Sequence, residues 1–275
     1  MIQINNLKFS YPHHAVLDGI SMTLTEGNVY GLLGENGVGK TTLLKLLAGL
    51  LKPSDGQILI EGQTPYKRSP FFLQDMFFVP EDFYAAEKSI KAFFDGKRKF
   101  YPKADIEKFN QLMNEFDVNP KWNISKISQG ERKKAMIASS LALNTSIVLM
   151  DEPSNGLDIP SKSLLRKVVA QNAAEDKLFI ISTHQVRDLE NIIDPIIIMD
   201  NKQVLLNASI EQITDKLYFT TRETKIENTL YSEFTPNGYT SVELNKDGLQ
   251  SKVNLESLFN ATMAYRDIFK TMFNN

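Results

Sequence analysis

The chain has 275 residues, a net charge of −2, and 42% hydrophobic, 23% charged and 10% aromatic residues. That length suffices for one large domain, or a domain with a small appendage, and the near-neutral balance gives no electrostatic reason to expect nucleic acid as a partner. With no cysteine in the chain, disulfides and thiolate metal sites are excluded, as suits a protein of a reducing compartment.

The first nine residues, Met1-Ile2-Gln3-Ile4-Asn5-Asn6-Leu7-Lys8-Phe9, alternate apolar and polar like a strand. They lack the basic start and apolar core of a signal peptide. Residues 29–33 predict a short buried strand and residues 41–49 a helix ending near Gly49. Turns are expected at Lys52-Pro53-Ser54-Asp55-Gly56 and around Gly62. From about residue 81 to 143 the pattern becomes helical, with Ile106, Phe109, Leu112, Met113 and Phe116 recurring along one face. From 146 to 207 short apolar strands return at 147–150, 178–181 and 196–199, separated by expected helices at 161–173 and 185–192. Strands alternating with helices imply a mostly parallel sheet covered on both faces. In the last sixty or so residues, Lys246-Asp247-Gly248 looks like a hairpin turn after a strand at 241–244. Asn254 is placed to cap a final helix carrying Leu255, Leu258, Phe259, Ile268, Phe269 and Met272. No stretch approaches the roughly 20 apolar residues of a spanning helix. The chargeless run 135–150 is interrupted by Ser139, Ser140, Asn144, Thr145 and Ser146. A membrane role would have to come through a partner.

Three segments carry chemistry. Between the strand 29–33 and the following helix lies Gly34-Glu35-Asn36-Gly37-Val38-Gly39-Lys40-Thr41-Thr42. The spacing Gly, four residues, Gly-Lys-Thr lets backbone N–H groups wrap a polyphosphate at a helix N-terminus. Lys40 can reach the β- and γ-phosphates, and the Thr41 hydroxyl can ligate Mg²⁺. The apolar strand 147–150 ends in Asp151-Glu152. Asp151 is placed to hold Mg²⁺ through water, and Glu152 to polarise an attacking water. Between them in sequence, Ser128-Gln129-Gly130 precedes a helix. Taken alone it is an ordinary helix cap; standing just before the Asp151-Glu152 strand, it describes a second anion site.

In this setting Ile127-Ser128-Gln129-Gly130-Glu131 resembles the Leu-Ser-Gly-Gly-Gln signature of the ATP-binding cassette ATPases, departing at Ile127, Gln129 and Glu131 while keeping Ser128 and Gly130. Other segments follow in that family's order. Ser154-Asn155-Gly156-Leu157-Asp158 resembles its D-loop, with Asp158 in the acidic position. Ser182-Thr183-His184 holds His184 where the family has a switch histidine that contacts the γ-phosphate. Tyr11 matches the aromatic that stacks on adenine. His13 and His14 are read as unremarkable polar residues. Phe77-Phe78-Val79-Pro80-Glu81 aligns with the Q-loop, but Glu81 replaces the usual glutamine. A carboxylate there could ligate Mg²⁺ or its water; without the metal it would face the γ-phosphate at a cost of about 3 kcal/mol, for charges roughly 6 Å apart at an effective dielectric of roughly 20.

The resemblance covers roughly residues 1–210. It implies a P-loop NTPase α/β core with an antiparallel β subdomain and a helical subdomain over about 82–145, the ATPase unit spanning 1–215 and a small α+β extension 216–275. It further implies two ATP molecules held between head-to-tail subunits, each touching Lys40 of one chain and Ser128 of the other, with Glu152 as base. The second cassette chain could be identical or different. The leading function is the ATPase subunit of a transporter with separate membrane-spanning subunits, on the cytoplasmic membrane face. Finer similarity is to the drug-resistance and ABC-2 exporter type, with the zone 83–100 as docking surface. The alternatives are a soluble single-cassette ATPase of cofactor or cluster assembly, and a nucleotide-binding regulator with little turnover, against which Asp151, Glu152 and His184 argue.

Overall fold

The computed structural model of the chain describes residues 1–83, 88–225, 227 and 229–273. Strands β1 (Ile2–Tyr11) and β2 (His14–Leu24) pair antiparallel, with Ile2 opposite Leu24 and Tyr11 opposite His14 across a tight turn. β3 (Asn28–Leu33) is buried along nearly its whole length and leads through the glycine-rich loop into α1 (Lys40–Leu47). β4 (Asp55–Ile60) returns to β1, completing a three-stranded antiparallel sheet in the order β2-β1-β4. A one-turn helix, α2 (Pro70–Leu73), capped by Ser69, precedes β5 (Met76–Val79).

The helical zone follows as α3 (Ile90–Lys97), α4 (Ile106–Glu115) and α5 (Gln129–Ala142). Each start is set by a side chain that accepts hydrogen bonds from the first turn: Ser89, Asp105 and Ser128. Of the expected apolar face of α4, Phe109, Leu112, Met113 and Phe116 are buried and Ile106 is half-buried. Phe109 stacks on Phe94 of α3 with ring centroids 4.1 Å apart, which ties the two helices together.

β6 (Ile147–Asp151), α6 (Ile159–Asn172), β7 (Leu178–Thr183), β8 (Ile196–Asp200) and β9 (Gln203–Ala208) complete the central sheet. Its six strands run β5-β6-β7-β3-β8-β9, all parallel except β9. The period of two divides its side chains between two cores. Ile147, Leu149, Leu178 and Ile180 face the side packed by α1 and the antiparallel sheet. Val148, Met150, Phe179 and Ile181 face the side packed by α5, α6 and the C-terminal elements. That is why these strands read as continuous apolar runs.

Two expected elements differ. Residues 185–192 do not form an α-helix; a single 3₁₀ turn covers Val186–Leu189. This segment must run back along a whole strand before the parallel β8 can begin. At the C-terminus, α7 (Ile210–Lys216) leads to β10 (Leu217–Arg222), β11 (Tyr231–Thr235) and β12 (Gly238–Leu244), a sheet in the order β10-β12-β11. The hairpin turns at Pro236-Asn237, with Thr235 opposite Gly238, not at Lys246-Asp247-Gly248. Gly238, the first residue of β12, has φ +113°, and a Cβ there would clash with the Arg222 carbonyl oxygen. After Gly248 no strand follows. The Asn245 side chain instead closes the loop, donating to the Leu249 carbonyl and accepting from its N–H, both at 2.9 Å.

Asn254 caps as expected, but the final helical stretch breaks at Tyr265 into α8 (Leu255–Ala264) and α9 (Arg266–Phe273). Leu255, Leu258 and Phe269 are buried in the same core as Ile196 and Ile198, whereas Ile268 is exposed. Arg266 pairs with Asp200, and Lys270 donates to Gln203 Oε1 at 2.7 Å. No helix among the described residues is long and apolar enough to cross a membrane.

Candidate active site

Sheet register brings the chemistry to one edge. Leu33 stands beside Thr183, and Asp151 beside Ser182. The glycine-rich loop, Asp151-Glu152 and His184 therefore all leave the carboxyl ends of three adjacent parallel strands, the usual place for a ligand crevice in such sheets. A cleft of about 500 Å³ opens there, lined by Tyr11, His14, Asn36, Gly37, Gly39, Lys40, Thr41, Thr42, Glu81, Glu152, Asn155 and His184.

The loop needs its glycines. Gly39, the residue before α1, has φ +109°, and a Cβ there would come within 2.9 Å of Leu17 Cδ2 and 3.0 Å of Val16 Cγ1. With the loop so folded, Lys40 turns inward: Nζ donates to the carbonyls of Gly34 at 2.7 Å and Glu35 at 3.0 Å. It also lies 3.6 Å from Glu152 Oε1, an ion pair too long for a hydrogen bond. Burial pushes the Lys40 ammonium below its ordinary pKa, and Glu152 opposes that shift.

The carboxylates are held individually. Asp151 Oδ2 accepts from Thr41 Oγ1 at 2.7 Å, and Oδ1 from Ser182 Oγ at 2.6 Å. Glu152 has φ +46°, unusual for a residue with a side chain. Its N–H is held by the Ser182 carbonyl at 3.2 Å and hydroxyl at 3.0 Å. Its Oε2 lies 3.0 Å from His184 Nδ1 and accepts from the His184 N–H at 3.3 Å. Its Oε1 is buried and has no hydrogen-bond partner. One oxygen of this carboxylate is fixed by His184, while the other makes no hydrogen bond and lies buried beside the Lys40 ammonium.

Glu81 lines the same cleft, and its Oε1 accepts from Asn155 Nδ2 at 2.8 Å. Among the described residues no three His, Cys, Asp or Glu side chains are grouped to hold a metal unaided. The adjacent Thr41 hydroxyl and Asp151 carboxylate nevertheless make an oxygen pair beside the loop. That donor set suits Mg²⁺, which keeps several waters and takes few protein ligands alongside phosphates.

The second expected anion segment lies apart from this cleft. Ser128 and Gln129 are exposed. The Ser128 hydroxyl is engaged with its own helix: it accepts from the Glu131 N–H at 3.2 Å and donates to Glu131 Oε2 at 2.7 Å, a capping box. That hydroxyl holds the Glu131 carboxyl below its ordinary pKa. Asp158 is likewise exposed and caps α6, accepting from the Ser161 N–H at 2.9 Å. Beside it Ile159 is 83% exposed, a large apolar side chain with no cover in the single chain. Gly130 approaches the D-loop, where a Cβ would lie 3.3 Å from the Gly156 carbonyl.

Three residues escaped the sequence reading. Ser182 ties Asp151 to the Glu152 backbone, and its place at the end of an apolar strand before His184 was the available signal. His14, read as unremarkable, lines the cleft because the β1–β2 turn sets it opposite Tyr11. Lys133 is buried and its Nζ donates to the Glu152 carbonyl at 2.9 Å; in the sequence it is one of two adjacent lysines opening a helix, with nothing to mark it.

Known proteins resemble this chain in sequence and in fold. The profile of the ABC transporter family matches residues 17–155. The chain is 32% identical to an uncharacterized ABC transporter ATP-binding protein of Methanocaldococcus jannaschii, covering 79% of this chain and 81% of that one. It is 27% identical to the ABC transporter ATP-binding protein YtrB of Bacillus subtilis, covering 78% and 74%. In fold it is similar to a solved ATP-binding subunit of an ABC transporter, with a TM-score of 0.70, 23% identity and coverage of 78% of this chain and 91% of that one.

Proposed function

The chain belongs to the ABC transporter family as an ATP-binding, ATP-hydrolysing subunit, and on that premise we propose that Glu152 is the base of hydrolysis in a site that a second cassette chain completes. The observation that carries this is the Glu152 carboxylate, in a residue that lines the cleft: one oxygen is held by His184, and the other is buried 3.6 Å from Lys40 Nζ with no hydrogen bond. A base must be oriented yet keep a free lone pair for the proton it takes.

The roles follow from position. Backbone N–H groups of residues 34–41 and the start of α1 receive the phosphates. Lys40 exchanges its two loop carbonyls for phosphate oxygens, which repays the burial of its charge. Tyr11 offers its exposed ring to the base. Glu152 takes the proton of the attacking water, and His184 steadies Glu152 and reaches toward the γ-phosphate. Thr41 and Asp151, with Glu81 at the wall, would hold Mg²⁺, which when bound neutralises charge on the β- and γ-phosphates.

Completion by a second chain is supported by what the single chain leaves open: Ser128, Gln129, Gly130, Asp158 and the bare Ile159 all lie outside the cleft. A second copy is the simplest supplier, since each chain carries both halves. We retain the division into an ATPase unit 1–215, with a helical subdomain 82–145, and an extension 216–275.

The work driven is transport through separate membrane-spanning subunits, with export as its proposed direction, at the cytoplasmic membrane face. The groove for those subunits lies between α1 and the helical zone. It has a volume of about 1170 Å³, apolar walls at Phe77, Phe93 and Phe100, and Lys45, Arg68, Lys97 and Lys99 around it. Residues 84–87 of the expected docking zone lie outside the described residues.

Glu152→Gln is the test. Hydrolysis should fall by about 10²- to 10⁴-fold, the usual worth of a general base, while ATP binding persists and a closed dimer accumulates in size-exclusion chromatography. Hydrolysis near the wild-type rate would remove Glu152 from the role.

A further inference from the structure

Glu152 is fixed from several sides, and one of them is unexpected. Its N–H is held by Ser182 and its carboxylate by His184, both from the sheet edge. Its carbonyl is held by Lys133 Nζ at 2.9 Å, and Lys133 belongs to α5, the helix that Ser128 opens. A buried ammonium with this single hydrogen bond among the described residues is costly unless carboxylates surround it. They do: burial pushes the Lys133 pKa down, while Glu81 most strongly, then Asp82, Glu152 and Asp151, push it back up. Glu81 and Lys133 also wall one small cavity of about 300 Å³ together with Asp82, Gln129 and Arg132.

Charge sharpens the point. Glu81 stands where the resemblance leads one to expect a neutral glutamine, so this site carries one extra negative charge facing the γ-phosphate. Lys133 supplies a positive charge on the same wall. No ion-pair contact joins the two, so the attraction acts across the shared cavity.

We propose that Lys133 is a positioning residue for hydrolysis, which holds the left-handed Glu152 backbone in place and offsets the charge of Glu81, so that positions 81 and 133 act as a compensating pair. The proposal rests on Glu152 being the base. It gives α5 a direct lever on Glu152: any movement of the signature helix acts on the backbone that sets the carboxylate's aim.

The experiment is a steady-state cycle with Mg²⁺ and ATP on wild type, Lys133→Met, Lys133→Arg, Glu81→Gln and the double variant, with Glu152→Gln alongside. Lys133→Met should lower kcat at least about tenfold and change KM less than about threefold, the pattern of a group that acts in the transition state. Lys133→Arg should recover most of the rate. Adding Glu81→Gln to Lys133→Met should raise kcat at least about threefold, whereas Glu81→Gln alone should not raise it, a coupling that a merely structural lysine would not give. Should Lys133→Met fail to fold, Lys133→Gln, which loses the charge but keeps a donor, must show the same dependence on residue 81. A Lys133→Met rate within about twofold of wild type, or an equal effect of Glu81→Gln in both backgrounds, overturns the pairing. If Glu152→Gln is inactive in that case, only the pairing fails; if Glu152→Gln is active, the assignment of the base fails and the pairing with it.

Discussion

The two halves of the proposed ATP site are built differently within one chain. The phosphate-loop half is finished: Lys40, Asp151 and Glu152 are buried, Thr41 is bonded to Asp151, and His184 rests on Glu152. The signature half is exposed, and its polar groups are turned onto themselves, with Ser128 capping its own helix through Glu131 and Asp158 capping α6. A parallel sheet delivers residues from distant sequence positions to one edge with fixed register, so it can assemble a site unaided. A helix N-terminus on the surface offers only N–H groups and a hydroxyl, which its own first turn uses until another ligand displaces it. The asymmetry is what a protein that closes around its substrate requires. On the proposed reading, one half binds nucleotide and the other acts only once a second chain is in place.

The largest difference between the halves should appear in nucleotide binding by the single chain. Lys40→Ala should weaken ATP binding by roughly a hundredfold or more, about 2.7 kcal/mol. Ser128→Arg should leave binding to the monomer within about twofold while lowering hydrolysis at least about tenfold, because it obstructs closure and not the cleft. Titration calorimetry on both variants checks this, and equal losses of binding would erase the distinction. A smaller effect is expected at Glu81. Its carboxylate opposes the γ-phosphate unless Mg²⁺ intervenes, so Glu81→Gln should reduce the Mg²⁺ dependence of ATP affinity by about tenfold, some half of the full unit-charge repulsion of about 3 kcal/mol. Lys133 offsets the rest. Equal Mg²⁺ dependence in wild type and Glu81→Gln would sink this reading.

The finished half was also the more legible in sequence. Gly34 to Thr41, Asp151, Glu152 and His184 each terminate an apolar run, and strands buried on both faces are the strongest pattern a parallel sheet leaves in a chain. The central strands were therefore found, as was the apolar face of α4. What escaped has physical causes. Lys133 is functional through burial, which a lysine does not advertise. His14 gains its place from a strand pairing, not from its neighbours in sequence. The hairpin turns at Pro236-Asn237 and not at Lys246-Asp247-Gly248, because both segments carry turn-forming residues and only strand pairing chooses between them. Residues 185–192 form only a 3₁₀ turn at Val186–Leu189, and apolar spacing over so short a stretch does not distinguish that turn from a helix.

That the site is shared between chains is tested most directly by mixing two inactive variants. Lys40→Ala and Ser128→Arg each spoil both sites of their own homodimer. In a mixed dimer one site receives both changes, and the other keeps an intact Lys40 and an intact Ser128. An equimolar mixture should therefore regain up to about a quarter of the wild-type ATPase rate, since half of the dimers are mixed and each has one intact site of two. Two folded variants that are inactive alone and stay inactive when mixed would contradict a site completed by the second chain.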